Sequence, residues 1–219
     1  MAIARMRPLL GGLAVALLCV AFATRAEAHP HIWITFETTV LHEKGTFVGV
    51  RHKWTFDEFY TAMAIEGLDK NKDGVYDREE LAELAKVNID GLKDFSFFTF
   101  PALAGKELKV GEPSDYWLEH KDGVLSLHFT LTFASPVLME AKGLTVSVYD
   151  PTYFIAFEPG KTDPVKLAEG APKSCEAKFG VPLQKQDQGS GSGPDSLQAQ
   201  LGALGMRTAK TIMVDCNGP

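Results

Sequence analysis

Two neighbouring stretches of the chain alternate between apolar and polar side chains with a period of two residues. The first runs from His29 to His42 and the second from Phe47 to Phe56, and Lys44-Gly45 lies between them. This alternation is typical of strands that bury one face, and a short glycine-containing turn between two such strands favours a hairpin. The sequence therefore predicts an antiparallel hairpin here.

The pattern then changes to helical spacing. Apolar residues recur every three or four positions from Asp57 to Leu68, and again from Leu81 to Leu92. Asp57 stands where an N-cap residue accepts a hydrogen bond from the first turn of a helix. Two helices are therefore predicted, separated by the twelve residues 69–80.

Several shorter β-rich stretches follow. They predict strands at 95–100, 106–110, 116–120, 124–133, 144–149, 153–157, 175–181 and 211–214. Many short strands with few helices favour an α+β fold that is mostly β, with an antiparallel β-sandwich-like core and a helix–loop–helix inserted at 57–92. The Gly/Ser-rich residues 184–195 are predicted to form a flexible linker, and 196–204 a short helix.

The twelve residues between the predicted helices match a calcium-binding EF-hand loop. Such a loop needs side-chain oxygens at positions 1, 3, 5, 9 and 12, a backbone carbonyl at position 7, and a glycine at position 6 for the sharp turn. The residues at those seven positions are Asp69, Asn71, Asp73, Asp77, Glu80, Val75 and Gly74. Tyr76 at position 8, where an aliphatic residue is usual, is the one departure. We expect Ca²⁺ here; an acidic turn that binds nothing is the alternative.

Residues 1–28 have the features of a secretory signal peptide. Arg5 and Arg7 precede an apolar run at 9–23, and Ala-Glu-Ala at 26–28 is a small-x-small cleavage site. The run is shorter than the roughly 20 residues of a membrane-spanning helix, and no later stretch approaches that length. We therefore expect a periplasmic protein with no direct membrane insertion after cleavage.

Charge and motifs narrow the class of function. The leader carries three arginines and one glutamate, so its removal changes the formal net charge from −6 to −8 over the remaining 191 residues. An acidic chain is unsuited to nucleic acid and favours cations as partners. Serine-hydrolase, phosphate-loop, metalloprotease and dinucleotide motifs are all absent from the sequence. We therefore expect a protein that is not an enzyme.

Two cysteines remain after the leader, Cys175 and Cys216. In an oxidising compartment, two remaining cysteines most simply form one disulfide. It would tie the C-terminal tail, 196–219, back to a β domain at 29–183. The alternative, a pair of thiolate metal ligands, lacks a neighbouring Cys or His at ligand spacing.

The new N-terminus suggests a second kind of metal site. Cleavage exposes His29, whose amine and imidazole can bind one transition metal, and His31 follows two residues later. A hairpin would bring Asp57 beside these histidines, and Asp150 lies in another turn. Together they predict a site for Zn²⁺, Ni²⁺ or Co²⁺. Two surface histidines, a helix cap and a turn-forming aspartate are the alternative for the same residues.

The other four histidines show no ligand spacing. They are His42, His52, His120 and His128. We interpret His52 and His128, which fall on predicted strands, as surface or partly buried structural residues.

Several motifs together resemble one bacterial family. They are His29-Pro30-His31-Ile32-Trp33-Ile34, Trp54-Thr55-Phe56-Asp57-Glu58-Phe59, the loop 69–80, and the segments 97–100 and 147–153. The family comprises periplasmic proteins long catalogued as of unknown function, typically encoded beside NicO-type nickel/cobalt permeases. It includes the periplasmic component of the ZevA/ZevB zinc uptake system. The resemblance implies a metal-binding partner of an inner-membrane NicO-type permease.

Three functions follow from these observations. The first is a periplasmic divalent-metal-binding accessory protein of a zinc, nickel or cobalt transport system, with calcium as a structural clamp. The second is a calcium-dependent protein-interaction module that has no transition-metal site. The third is a copper site built on the amine and imidazole of His29.

Overall fold

The computed structural model describes residues 30–180 and 209–216. Four predictions therefore lie outside the described residues: those for the leader, His29, the linker 184–195 and the helix 196–204. The strands are β1 Ile32–Glu43, β2 Thr46–Phe56, β3 Thr99–Leu103, β4 Lys106–Glu107, β5 Ser114–Lys121, β6 Val124–Leu138, β7 Leu144–Val148, β8 Ile155–Pro159, β9 Val165–Leu167, β10 Cys175–Gly180 and β11 Lys210–Cys216. The helices are α1 Glu58–Ala64 and α2 Ala82–Leu92, and a short 3₁₀ segment spans Lys93–Phe98.

Within this part of the chain the strands form two sheets. The first has the order β5-β6-β2-β1-β8, with β9 also paired to β1, and the second has the order β10-β11-β7-β3-β4. The mostly β, α+β class predicted from the sequence is confirmed. The predicted hairpin is also confirmed, because β1 and β2 pair antiparallel from Ile34 with Phe56 to Glu43 with Thr46.

The predicted antiparallel core is confirmed for most strand pairs, and β1 has two parallel partners that the sequence analysis did not predict. β1 pairs in parallel with β8, where Ile32 lies opposite Ile155, and in parallel with β9, where Thr38 lies opposite Val165. The chain leaves the second sheet at the end of β7 and enters the first sheet beside the start of β1. β8 therefore runs in the same direction as β1. No turn motif in the sequence indicates this pairing.

The prediction of a strand at 95–100 is wrong for its first four residues. Ser96, Phe97 and Phe98 have φ values of 53°, 52° and 45°, and β3 begins only at Thr99. Phe97 and Phe98 are both buried. Successive side chains of a strand point to opposite faces, so an extended backbone could not bury both against one core. The left-handed turn allows both rings to face inward.

The predicted helices both occur, and the first is shorter than expected. It ends at Ala64, because Gly67 turns the chain with a φ of 77° before the acidic loop. The hydroxyl of Thr61 in α1 accepts a hydrogen bond of 3.0 Å from the backbone N–H of Leu125 in β6. This bond fastens the helix to the first sheet. In the described segments no helix is long and apolar enough to cross a membrane.

One buried cluster holds the two sheets together. The inward side chains include Phe36, Val50 and Leu127 from the first sheet and Val146 and Ile212 from the second, all with no exposed surface. Burial of each large apolar side chain contributes about 1.5–3 kcal/mol relative to exposure. Contact between the sheets is therefore the main source of stability.

His52 lies inside this cluster and is completely buried, so the prediction of a surface or partly buried position is wrong. Its Nδ1 lies 2.9 Å from the Thr38 hydroxyl of β1, and its Nε2 lies 3.2 Å from the Thr99 hydroxyl of β3. The Thr99 hydroxyl donates its hydrogen to the carbonyl oxygen of Phe97, so it accepts from His52 Nε2–H. Burial lowers the pKa of His52 and keeps the ring neutral, so with the proton on Nε2 the Thr38 hydroxyl donates to Nδ1.

The predicted disulfide is confirmed. Cys175 and Cys216 are bonded and lie opposite each other where β10 pairs with β11. The bond closes 41 residues of sequence separation. It fixes β11, the last described strand, to β10, and β11 pairs with β7 on its other side.

Burial lowers the pKa of His52 to about 3 from 6.5. Because the unfolded chain then binds one more proton between these two pH values, stability is fully present above pH 6.5 and is lost as the pH falls towards 3. Protonation of His52 in the unfolded chain should therefore lower the free energy of unfolding by roughly 1 kcal/mol for each pH unit of the fall. Urea unfolding at pH 7 and at pH 5 measures this difference in free energy. A His52→Gln variant, which cannot titrate, should show a smaller pH slope; equal slopes would contradict the assignment.

Candidate metal-binding loop and adjacent cavity

The loop 69–80 joins α1 to α2 and turns sharply at its sixth residue. Gly74 has a φ of 78°, which favours glycine. The two carboxylate oxygens of Asp69, at loop position 1, accept hydrogen bonds from the backbone N–H groups of Asp73 (3.2 Å) and Gly74 (3.0 Å). Asp73 Oδ1 in turn accepts from the N–H of Val75 at 2.7 Å. The first half of the loop is thus folded inward around its acidic side chains.

Glu80, at loop position 12, closes the other half. The residue as a whole is 7% exposed. Its Oε1 accepts from the N–H groups of Lys70 (2.8 Å) and Asn71 (3.4 Å), and its Oε2 accepts from Asp77 N–H (3.3 Å). One side chain therefore joins the start of the loop to its end. Asp77 Oδ1 accepts from the N–H of Glu79 (2.8 Å) and of Glu80 (2.9 Å), which stabilises the turn before α2.

The donor set of the loop suits a hard cation. All the predicted ligands, Asp69, Asn71, Asp73, Val75, Asp77 and Glu80, offer oxygen, and oxygen is what Ca²⁺ prefers. In residues 30–180 and 209–216, no three His, Cys, Asp or Glu side chains are grouped so as to hold a metal ion. The carboxylates instead face the amides of their own loop. The residue types and the Gly74 turn fit calcium.

Asp57 lies beside the start of β1, as the hairpin predicts. Its Oδ1 accepts from Tyr60 N–H at 2.8 Å, which caps α1, and its Oδ2 accepts from Trp33 N–H at 2.9 Å. The Asp57 N–H also donates to the Trp33 carbonyl at 3.0 Å. Both carboxylate oxygens are therefore bonded to backbone groups.

Asp150 is 3% exposed and also has both oxygens bonded. Oδ1 accepts from the N–H (2.7 Å) and the hydroxyl (2.8 Å) of Thr152, and Oδ2 accepts from Ile155 N–H (2.9 Å). His31 reaches the same turn, because its N–H donates to the Phe154 carbonyl at 2.8 Å and its ring lies 4.8 Å from the Phe154 ring. These bonds explain Asp57 and Asp150 as a cap and a turn former.

An apolar cavity of about 440 Å³ lies between the helices and the end of the sandwich. Its wall combines Ile32 and Phe56 from the hairpin, Leu84 and Leu92 from α2, and Phe98. Its lining residues come from many separate segments, so no local pattern marks it.

Most polar groups at the cavity wall are bonded within the protein, but the buried indole N–H of Trp54 has no hydrogen-bond partner among the described residues. The Tyr60 hydroxyl donates to Asn88 Oδ1 at 3.0 Å, and Asn88 Nδ2 donates to the Leu84 carbonyl at 2.9 Å. Burial raises the pKa of Tyr60, opposed by this hydrogen bond. Since Asp150 and Thr152 are bonded to each other, the cavity presents mainly apolar surface.

Two packed β-sheets with a helix–loop–helix between β2 and β3 define the architecture of this protein. The family model of DUF1007, described as a protein of unknown function, matches residues 14–216. The chain belongs to this family.

Two relatives are also similar. An uncharacterized protein from Haemophilus influenzae is 26% identical over 191 residues, which cover 86% of this chain and 91% of that protein. An uncharacterized 15.5 kDa protein in the trpE 3′ region of Spirochaeta aurantia is 33% identical over 100 residues, which cover 45% of this chain and 70% of that protein.

Substitution of Asp150 by asparagine should destabilise the protein more than the same substitution of Asp57. An asparagine at position 150 has only one acceptor oxygen, so Asp150→Asn leaves a buried N–H without an acceptor and should cost about 1–3 kcal/mol. Asparagine is as good an N-cap as aspartate, and Asp57 is partly exposed, so Asp57→Asn should cost less. Urea unfolding of both variants measures the difference; a larger loss for Asp57→Asn would contradict this interpretation.

Proposed function

We propose that this protein is a periplasmic, non-enzymatic, divalent-metal-binding accessory protein of a zinc, nickel or cobalt transport system, with a structural calcium ion in the loop 69–80. The observation that carries the calcium site is the Glu80 carboxylate, which is buried and bonded to backbone amides at both ends of the loop. A cation bound here would take the Glu80 oxygens in place of these amides.

The calcium site serves as a clamp in this proposal. Leu81, the residue after the loop, is completely buried, and Ala85 and Ile89 of α2 are buried behind it. A cation that fixes Glu80 therefore also fixes the start of the helix that covers the apolar cavity. Its contribution is rigidity at this end of the sandwich.

The transition metal binds elsewhere in this proposal. His29 and His31 supply imidazole nitrogen, which selects Zn²⁺, Ni²⁺ or Co²⁺ over Ca²⁺. Asp57 and Asp150 are the proposed carboxylate ligands, and a metal would have to compete with their hydrogen bonds to backbone amides. The exposed position of His31 at the start of the described chain supports access from solvent.

The transport role rests on the family resemblance. A NicO-type inner-membrane permease is the proposed partner, and the periplasm is the proposed location. The disulfide between Cys175 and Cys216 supports an oxidising compartment.

A second candidate function is a calcium-dependent protein-interaction module without a transition-metal site. It is favoured by the apolar cavity, because three residues at its wall are also exposed: Val87 at 58%, Phe95 at 45% and Phe154 at 43%. An exposed apolar rim around a cavity is typical of surfaces that bind other molecules.

Removal of calcium should destabilise the protein. A ligand that binds only the folded state at a concentration 100 times its Kd stabilises by about 2.7 kcal/mol, so a chelator should lower the Tm by several degrees. The chelator should have no effect on a Glu80→Gln variant, which lacks the position-12 carboxylate. Differential scanning calorimetry measures the Tm of both proteins.

Bound zinc should remain on the protein when calcium is removed. Simultaneous loss of both metals would contradict two separate sites.

The N-terminal histidines are tested by titration with Zn²⁺ and Ni²⁺. The protein must begin at His29, because a preceding residue would block the amine. The double variant His29→Ala/His31→Ala should bind both metals much more weakly than the mature wild type, as isothermal titration calorimetry can measure. His42→Ala is the matched control. Equal affinities in the wild type and the double variant would remove the transition-metal site and favour the second candidate function.

A further inference from the structure

The middle of the acidic loop rests on the edge strand of the first sheet. Tyr76, at loop position 8, contacts His120 of β5 with ring centroids 4.9 Å apart and the rings at 73°, an edge-to-face arrangement. Tyr76 is partly buried, whereas its neighbours Val75 and Asp77 are exposed. The residue that departs from the usual EF-hand pattern is therefore the one that anchors the loop.

A second contact lies two residues further along the loop. The Arg78 guanidinium carbon lies 4.8 Å from the ring centroid of Trp117 in β5, the geometry of a cation–π interaction. Trp117 in turn stacks on His128 of β6, with ring centroids 4.5 Å apart and an interplanar angle of 2°. Trp117 thus connects the loop to the interior of the first sheet.

These two contacts adjoin two of the proposed cation ligands. The Val75 carbonyl and the Asp77 side chain flank Tyr76 directly, and Asp77 lies between Tyr76 and Arg78 in sequence. A shift of the Tyr76 ring away from His120 would therefore move two ligands at once. The start of the loop is held instead from within, by the bonds of Lys70 and Asn71 N–H to Glu80, and Asn71, Asp73 and Gly74 are exposed.

Helix–loop–helix calcium units generally occur in pairs, in which each loop supports the other. β5 lies at the edge of its sheet, and an edge strand needs cover. We propose that β5 takes the place of the second calcium loop, and that Tyr76, Arg78 and Trp117 are positioning residues that hold the cation-binding geometry. This inference rests on the proposed calcium site. It adds that calcium binding is coupled to the first sheet through Trp117.

The test compares calcium affinities by isothermal titration calorimetry of the mature chain. Loss of the ring contact or of the cation–π contact should weaken binding about two- to tenfold, so Tyr76→Ala and Arg78→Ala should each raise the Kd by such a factor. Tyr76→Phe keeps the ring and should keep wild-type affinity. Arg51→Ala is the matched control, because Arg51 lies on β2 and bonds to Thr130 instead of the loop.

A second readout separates positioning from general stability. Addition of Ca²⁺ should change the tryptophan fluorescence of the wild type, and the change should be absent in Trp117→Phe and reduced in Arg78→Ala. Wild-type affinity in Tyr76→Ala and Arg78→Ala, with calcium still bound, would overturn the inference and leave the calcium site in place. No calcium binding by the wild-type protein would overturn both. Thermal unfolding of each variant identifies any that fail to fold. If one does, the calcium affinities of Tyr76→Phe and Tyr76→Ala are compared, and equal affinities would overturn the inference.

Discussion

One chain of hydrogen bonds crosses the interior and joins the two sheets. It runs from the Phe97 carbonyl through the Thr99 hydroxyl and the neutral His52 ring to the Thr38 hydroxyl. Each of these groups is buried, and a buried polar group left without a partner costs about 1–3 kcal/mol. All four must therefore be placed together, which restricts how the sheets can pack. The apolar core supplies most of the stability, and this chain selects one packing arrangement among the many that an apolar core would tolerate.

The left-handed turn at 96–98 follows from the same constraint. It brings the Phe97 carbonyl to Thr99, buries Phe97, and directs Phe98 towards the ring of Phe157 at 5.7 Å. Positive φ values at non-glycine residues are costly, each by about 1 kcal/mol or more. The bonds and the burial that they allow offset this cost. Phe98 also forms part of the cavity wall, so the core and the candidate binding surface share one turn.

The end of the sandwich near the helices carries every feature that suggests a function. The loop, the start of the described chain, the apolar cavity and the turn containing Asp150 all lie there, because β1 and β8 start at this end and α1 begins where β2 finishes. The carboxylates of both predicted metal sites accept hydrogen bonds from backbone amides. Any metal at either site would have to replace these amides.

The hairpin, the two helices, the twelve-residue loop and the Cys175–Cys216 bond were all predictable from the sequence alone. Each depends on local periodicity, on fixed spacing, or on the small number of cysteines, and such signals lie within a few residues or in the composition. The parallel pairing of β8 with β1, the buried position of His52, the left-handed turn and the contact of Tyr76 with His120 were decided by the tertiary structure. These features depend on residues far apart in sequence, whose mutual packing no local pattern encodes. Tyr76 shows the difference well: the sequence marks it as unusual for its position, and only the fold supplies the partner that explains it.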